Sequence, residues 1–227
     1  MAQTIVPPLE GSALALSEIR LAGGGEHVVG HPDRDSLVYV FAGSGTIAAN
    51  GETWPVASGA AALILAGEQG RIEAVEGELA AIMASVGPDT DRHAPVGPRG
   101  TVVRPNHSGS EKATGSRSFQ VLLGPHNGST RATLFAGYIP PGKAPWHYHL
   151  YDEIVWVPEG PGRLHIGDEI EELGPGSAFR LRPRQVHVVE NSSSDREMTI
   201  IGVFTPAGSP SAAYLTPDVA AEYGIAG

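Results

Sequence analysis

Apolar residues in this chain come in short runs bounded by Gly, Pro, Asn or Asp: LVYVFAG, GTIAANG, AALILAG, LAAIMASVG, SFQVLLG, ATLFAGYIPPG, EIVWVPEG, RLHIGD, VHVVENSS and MTIIGVF. Short runs rich in β-favouring residues between turn formers are the pattern of strands joined by tight turns. No helical pattern of about ten or more residues separates them, which argues against alternating strands and helices. The predicted fold class is all-β, a sandwich or a barrel. Only LTPDVAAEYG, residues 215–224, reads as helical: Pro217 and Asp218 suit a first turn and Gly224 a stop, predicting a short C-terminal helix.

The runs are organised by an internal repeat. Sliding the chain by 117 positions places Gly142 on Gly25, Val155 on Val38, Gly160 on Gly43, Gly162 on Gly45, Glu169 on Glu52, Gly176 on Gly59 and Ala178 on Ala61, without a gap. Two copies of one β domain are therefore expected, residues 1–99 with the linker and residues 100–227. The stretch GPDTDRHAPVGPRG, residues 87–100, has the Pro, Gly and charge content of an exposed linker. The polar stretch HSGSEKATGSRS, residues 107–118, reads as a long loop leading into the second copy.

Composition narrows the function classes. With 30 Gly and 19 Pro in 227 residues the chain is too turn-rich for a mainly helical protein. A net charge of -10 without any long Lys/Arg run argues against nucleic acid and anionic membranes as partners. Cysteine is absent, which leaves any metal to His, Asp and Glu. The N-terminus has no basic region followed by an apolar core, and no stretch approaches membrane-spanning length, so a cytoplasmic location is expected. The N-x-Ser sequons at Asn127 and Asn191 then read as chance.

The chemistry concentrates in WHYHLYDEIVWV, residues 146–157. Gly142, His147, His149, Glu153 and Gly160 reproduce the spacing of the first cupin motif, G-x5-HxH-x3,4-E-x6-G, apart from one residue missing before the histidines. Gly176, Pro183, His187 and Asn191 resemble the second motif, G-x5-PxG-x2-H-x3-N, with Gln185 where a glycine is usual and one residue fewer between Pro183 and His187. The chain thus resembles the cupin superfamily. With both copies counted, the resemblance covers nearly the whole sequence and implies a bicupin: two tandem jelly-roll β-barrels with a metal motif only in the C-terminal one.

The residues support the same site chemically. Alternate side chains of a strand share a face, so His147 and His149 point one way, while Glu153 comes from the next strand and His187 from a more distant one. Three neutral imidazoles and a carboxylate suit one divalent transition metal such as Fe, Mn, Zn, Ni or Co. A six-coordinate ion so held keeps two positions open for water, dioxygen or substrate. The same alternation turns Val155 and Val157 inward. In the first copy the equivalent positions are Gly30, Pro32, Ser36 and Gly70, none a ligand, and His31 and Asp35 are out of register. That copy is expected to serve as scaffold, lid or dimer half.

Other residues read more plainly. His27, His31, His93, His107, His126 and His165 lack ligand partners and are expected on the surface or in loops. Arg180 and Arg182 are expected on an outer face; turned inward, either would bind a carboxylate or phosphate. Trp146, Tyr148 and Trp156 are expected to pack against the other barrel or a second chain. Tyr151 and Asp152 fall in the turn before Glu153, lining the cavity mouth or exposed, and Glu190 has the wrong parity to share a face with His187. No Walker ending, GxGxxG context, GxSxG elbow or HExxH is present.

What the resemblance implies for function is a metal-dependent enzyme acting on a small oxygen-bearing molecule that chelates the ion, with a quercetinase-like non-haem dioxygenase as the leading activity. The alternatives are a Mn- or Zn-dependent isomerase, aminohydrolase or decarboxylase, or a non-catalytic module that binds metal or a small molecule. A homodimer is expected from the sheet edges such a fold leaves unpaired.

Overall fold

In the computed structural model, residues 1–90, 92–104, 110–113 and 116–218 are described. The turn-bounded runs form strands throughout, and the fold is nearly all-β, as its pattern predicts. Among the described residues no helix is long and apolar enough to cross a membrane.

The first part of the chain forms β1 (Ala2–Val6), β2 (Leu14–Leu21), β3 (Glu26–Val28), β4 (Asp35–Ala49), β5 (Glu52–Ala57), β6 (Ala61–Ile64), β7 (Gly70–Glu73), β8 (Leu79–Val86) and β9 (Val102–Val103). They join in one antiparallel sheet of order β1-β2-β8-β4-β6-β9, with β5 and β7 on the far half of β4 and β3 on β7. The long β4 serves both halves because its register slips between Val40 and Ala42, a bulge that bends the strand. Val38, Val40, Ile47, Ile64, Ile72 and Leu79 fill the interior with little or no exposure. Each such side chain contributes about 1.5 to 3 kcal/mol relative to exposure.

The second part forms β10 (Glu111–Lys112), β11 (Ser118–Leu123), β12 (Thr133–Ile139), β13 (Gly142–Lys143), β14 (His147–His149), β15 (Asp152–Trp156), β16 (Gly162–Ile166), β17 (Glu169–Leu173), β18 (Ala178–Leu181), β19 (Val188–Asn191), β20 (Met198–Thr205) and β21 (Ala213–Leu215). Their sheets run β10-β11-β12-β20-β15-β18, β13-β19-β16-β17 and β14-β21. Val155, Val157, Leu164, Phe179, Leu181, Val189 and Ile200 form the apolar interior, so both valines after Glu153 do face inward.

The chain divides into two compact units that interleave in sequence. One comprises residues 1–106, 122–134 and 203–208, the other residues 107–121, 135–202 and 209–227. In the first, Arg131 Nη1 bonds Asp35 Oδ1 at 3.2 Å, with both side chains about 5% exposed. Residue 131 thus belongs with residue 35 rather than with its own sequence neighbourhood.

The repeat has a steric basis. A Cβ at Gly43 would lie 1.8 Å from the Glu78 carbonyl oxygen, and one at Gly45 1.9 Å from that of Glu73. At the matching positions, a Cβ at Gly160 would lie 2.8 Å from the Leu173 oxygen and one at Gly162 2.9 Å from the Glu190 oxygen. In each copy the hairpin needs backbone where a side chain would stand.

Of the expected C-terminal helix, Pro217 and Asp218 are helical, as their place in its first turn implies, Leu215 belongs to β21 and residues 219–224 lie outside the described residues. β21 pairs with β14 in the register His147↔Leu215, Tyr148↔Tyr214 and His149↔Ala213. Main-chain pairing to a neighbouring edge thus extends to Leu215, and the helical residues follow it. Asn127 and Asn191 are buried, with Asn127 Nδ2 bonded to Leu122 O and Asn191 Nδ2 to Ile139 O, which leaves neither free to carry a glycan.

Candidate metal centre

β14 is three residues long, so its alternation sets His147 and His149 on one face with Tyr148 on the other. His187 is brought opposite His147 by an antiparallel bridge: His147 N donates to His187 O at 3.3 Å and His187 N to His147 O at 2.9 Å. The turn before His187 is shorter than the cupin pattern, yet it closes. Arg182 N donates to Gln185 Oε1, Gln185 N to Arg182 O and Arg184 N to His149 O. The left-handed conformation that favours glycine falls at Arg184, φ 65°, instead of at residue 185.

The three imidazoles converge. Their nitrogen ligand atoms lie within 4.8 Å of one another, and all three residues are buried. Ring centroids are 4.5 Å apart for His147 and His187, 4.7 Å for His149 and His187 and 5.9 Å for His147 and His149. Glu153, 3% exposed at the start of β15, sets Oε2 3.1 Å from His149 Nε2. All four sequence-derived residues therefore meet in one place.

The electrostatics prepare these groups for a cation. Burial, reinforced by neighbouring histidines and Arg117, lowers the pKa of His147 to about 3 and of His149 to about 2. His187 falls to about 4, mainly by burial. All three rings are neutral at ordinary pH, the form that ligates. His147 Nδ1 lies 2.9 Å from Pro145 O and His187 Nδ1 2.9 Å from Gln185 O, so each Nδ1–H is committed to a carbonyl and each Nε2 keeps its lone pair for a ligand. His149 Nδ1 is buried without a hydrogen-bond partner. Burial raises Glu153 to about 8, with Arg117 opposing the rise.

A divalent ion fits this donor set. It would be held by the three imidazoles and Glu153, would stabilise the carboxylate that burial disfavours, and would supply Lewis-acid or redox chemistry at its open positions.

Beside the ligands is a cavity of about 80 Å³. Much of its wall is apolar, with Phe119, Phe135, Val155, Leu181 and Ile200 among its members, and Phe119 and Phe135 meet edge to face at 6.4 Å. The polar lining includes Tyr151, expected at the cavity mouth or exposed, and Arg117, which spacing does not pick out. Tyr151 is buried and stacks on His149, centroids 4.4 Å apart and rings 11° from parallel, its phenol made harder to ionise by burial and by Glu153. Arg117 is half-buried and lines the same cavity, burial lowering its pKa while Glu153 and Tyr151 act to raise it. Its only sequence signal is its place at the end of the polar stretch 107–118, just before an apolar strand.

Other expectations are met or corrected residue by residue. Neither Arg180 nor Arg182 lines the cavity: in β18 Leu181 opposite Glu153 takes that face, Arg180 bonds Asp152 at 2.5 Å, and Arg182 is exposed. His165 is buried rather than superficial, Nε2 2.6 Å from Glu190 Oε2 and edge-on to Trp146, and this pairing occupies Glu190. His31, His93 and His126 are exposed and His27 half-buried, while His107 lies outside the described residues. Tyr148 stacks on Tyr214 of the same chain, and Trp156 is a buried strand residue. In the first unit, a Cβ at Gly30 would lie 2.3 Å from the Glu68 oxygen and one at Gly70 2.8 Å from the Ile64 side chain, so these sites have no room for ligands. Among the described residues the one His/Asp/Glu group with metal-binding geometry is His147, His149 and His187.

Three histidines converging within a β fold are what the cupin motifs of the sequence imply, and residues 136–204 match the Cupin domain family, Cupin_2. That segment, which spans the site just described, is a cupin domain. Two curated relatives are similar over part of it: the L-ectoine synthases of Rhodococcus opacus and Rhodococcus jostii are each 40% identical over 63 residues, 27% of this chain and 46% of theirs. The match thus spans under half the length of those relatives. Solved structures of similar fold include Bacillus subtilis oxalate decarboxylase (TM-score 0.73, 14% identity, 94% of this chain and 74% of that one). Ylba from E. coli (TM-score 0.70, 15% identity) covers 90% of this chain and 81% of its own, and a Leptotrichia buccalis cupin 2 conserved barrel protein (TM-score 0.63, 16% identity) 90% and 88%.

Proposed function

We propose that this chain is a metal-dependent cupin enzyme: His147, His149, Glu153 and His187 hold one divalent transition ion, and a small oxygen-bearing molecule chelates that ion in the adjoining cavity. The observation that carries the reading is the convergence of three buried, neutral imidazoles and a buried carboxylate on a lined space of about 80 Å³. Solved cupins of similar fold support it, one of them described by its Mn(II) centres.

The size of the space narrows the reaction. A water-sized group needs about 10 to 15 Å³ by this measure, so the cavity takes on the order of five to eight such groups. A compact substrate fits this space directly, whereas a flavonol would also occupy the open side of the cavity, so compact substrates are placed before quercetinase-like ones. The apolar wall still favours a dioxygenase with bound Fe, because dioxygen is small and apolar. A Mn- or Zn-loaded site would instead polarise a carbonyl for decarboxylation, isomerisation or hydrolysis. The names of the relatives, a decarboxylase and a synthase of a small molecule, support small substrates. A homodimer in the cytoplasm completes the proposal.

The test is elemental mass spectrometry of protein purified without added metal or affinity tag, alongside His149→Ala. About one equivalent of a transition ion in the wild type, lost in the variant, is expected. Iron directs the next assay to oxygen uptake, and Mn or Zn to decarboxylase and hydrolase assays. Absence of metal from the wild type even after reconstitution overturns the enzymatic reading and leaves a binding module.

A further inference from the structure

We propose that Tyr151 is a positioning residue of this centre: its ring holds His149 in line for the ion, in place of the hydrogen bond that holds each of the other two histidines. The proposal rests on the metal-site reading above and adds a residue to that site.

An imidazole ligates only when its ring nitrogen points at the ion, and the last torsion of a histidine side chain is broad, so a second contact has to fix the ring. For His147 and His187 that contact is a carbonyl, with Nδ1 2.9 Å from Pro145 O and 2.9 Å from Gln185 O respectively. His149 lacks it: its Nδ1 is buried and meets no hydrogen-bond partner among the described residues. It has an aromatic face instead. The His149 and Tyr151 rings lie 4.4 Å apart between centroids and 11° from parallel, so turning the imidazole about its last torsion would drive its edge into the phenol. Leu150 between them is 51% exposed while His149 and Tyr151 are buried, so the alternation of β14 runs on past its end and sets both rings on one side. The other contacts of His149 do less. His187 meets it at 62°, an edge contact that limits the ring without aligning it. Glu153 Oε2, 3.1 Å from His149 Nε2, meets the nitrogen that an ion would take, so it does not orient the ring independently of the ion. Tyr151 is itself seated, 8% exposed with its hydroxyl 3.5 Å from Pro210 O. A bond that long is weak, so the ring rather than the hydroxyl carries the positioning.

The experiment uses full-length protein loaded with Co(II) and compares wild type with Tyr151→Phe, which keeps the ring, and Tyr151→Leu, which removes it but keeps an apolar side chain. Affinity is read by competition with a chelator, and ligand geometry by the visible absorption of the bound Co(II). Tyr151→Phe is expected to bind within about threefold of wild type with the same spectrum, and Tyr151→Leu to bind about 10-fold more weakly with an altered one. A folded Tyr151→Leu that keeps either the wild-type affinity or the wild-type spectrum overturns the proposal while leaving the metal site intact. So does a Tyr151→Phe as impaired as Tyr151→Leu, because the role would then belong to the hydroxyl. A second measurement needs no variant: in wild type loaded with diamagnetic Zn(II), nuclear Overhauser contacts between the His149 and Tyr151 ring protons are expected. Their absence overturns the proposal whether or not Tyr151→Leu folds. Failure of wild type to hold Co(II), Zn(II) or any other divalent transition ion tried overturns the metal reading and this proposal with it.

Discussion

Glu153→Gln in metal-free protein should change the way stability depends on pH, and by an amount the structure sets. Burial raises the Glu153 carboxyl from an ordinary 4.5 to about 8. Between these values the folded protein keeps a proton that the unfolded chain has released, so stability falls as pH rises from 4.5 through 8 and is flat above. At about 1.36 kcal/mol per pH unit, the full loss is about 5 kcal/mol. Glutamine occupies nearly the same volume and stays neutral at every pH, so the variant escapes this loss. The depressed histidines act oppositely: folded values of about 3, 2 and 4 against 6.5 unfolded cost stability as pH falls below 6.5. Wild type and variant share that arm, so their difference isolates Glu153. The assay is urea unfolding from pH 5 to 9 in a Trp54→Phe background, so that Trp146 and Trp156 report the unit that holds the site. The two curves should agree near pH 5 and separate by several kcal/mol at pH 9. Parallel profiles would show that Glu153 is not a desolvated carboxylate, and the electrostatic account of the site would fail. Adding the ion should reverse the wild-type trend, because binding ionises Glu153 and displaces its proton.

Two further outcomes follow from packing. A Cβ at Gly202 would lie 2.3 Å from Phe135 Cε1 and 2.8 Å from Glu153 Oε1, so Gly202→Ala should push the carboxylate off its line and weaken metal binding by about 10- to 100-fold, read by competition with a chelator. Asn191 Nδ2 donates to Ile139 O and Arg196 O while Oδ1 accepts from Ser193 N, so Asn191→Ala should cost about 3 kcal/mol in urea unfolding and leave the metal ligands unchanged.

The strand character and the ligands were legible because both obey local rules. Period-two alternation set His147, His149, Val155 and Val157 on their faces without tertiary knowledge. His187 was legible through motif spacing, although the device that seats it, the paired bridge to His147, lies in no local pattern. Arg117 was not legible as a site member, since a residue at the end of a polar stretch carries no periodicity that aims it anywhere, and Tyr151 was legible only as one of two readings, at the cavity mouth or exposed. His165 misled because its partner Glu190 is 25 residues away, and an isolated histidine reads as solvated. The helical signal was legible where Pro217 and Asp218 mark a first turn, but not that Leu215 just before it pairs with β14.

The strand β21 also imposes an order of events. The ligand strand β14 is bonded on one side to His187 and on the other to residues 213–215, all of which are synthesised after it. Three residues of strand do not hold their shape alone. On the ribosome, then, His147 and His149 wait as an open edge until the polypeptide has grown past residue 215. A nascent chain stalled or cleaved before that point displays two histidines on unpaired backbone, which gives it a liability to join foreign strands that the finished molecule does not share.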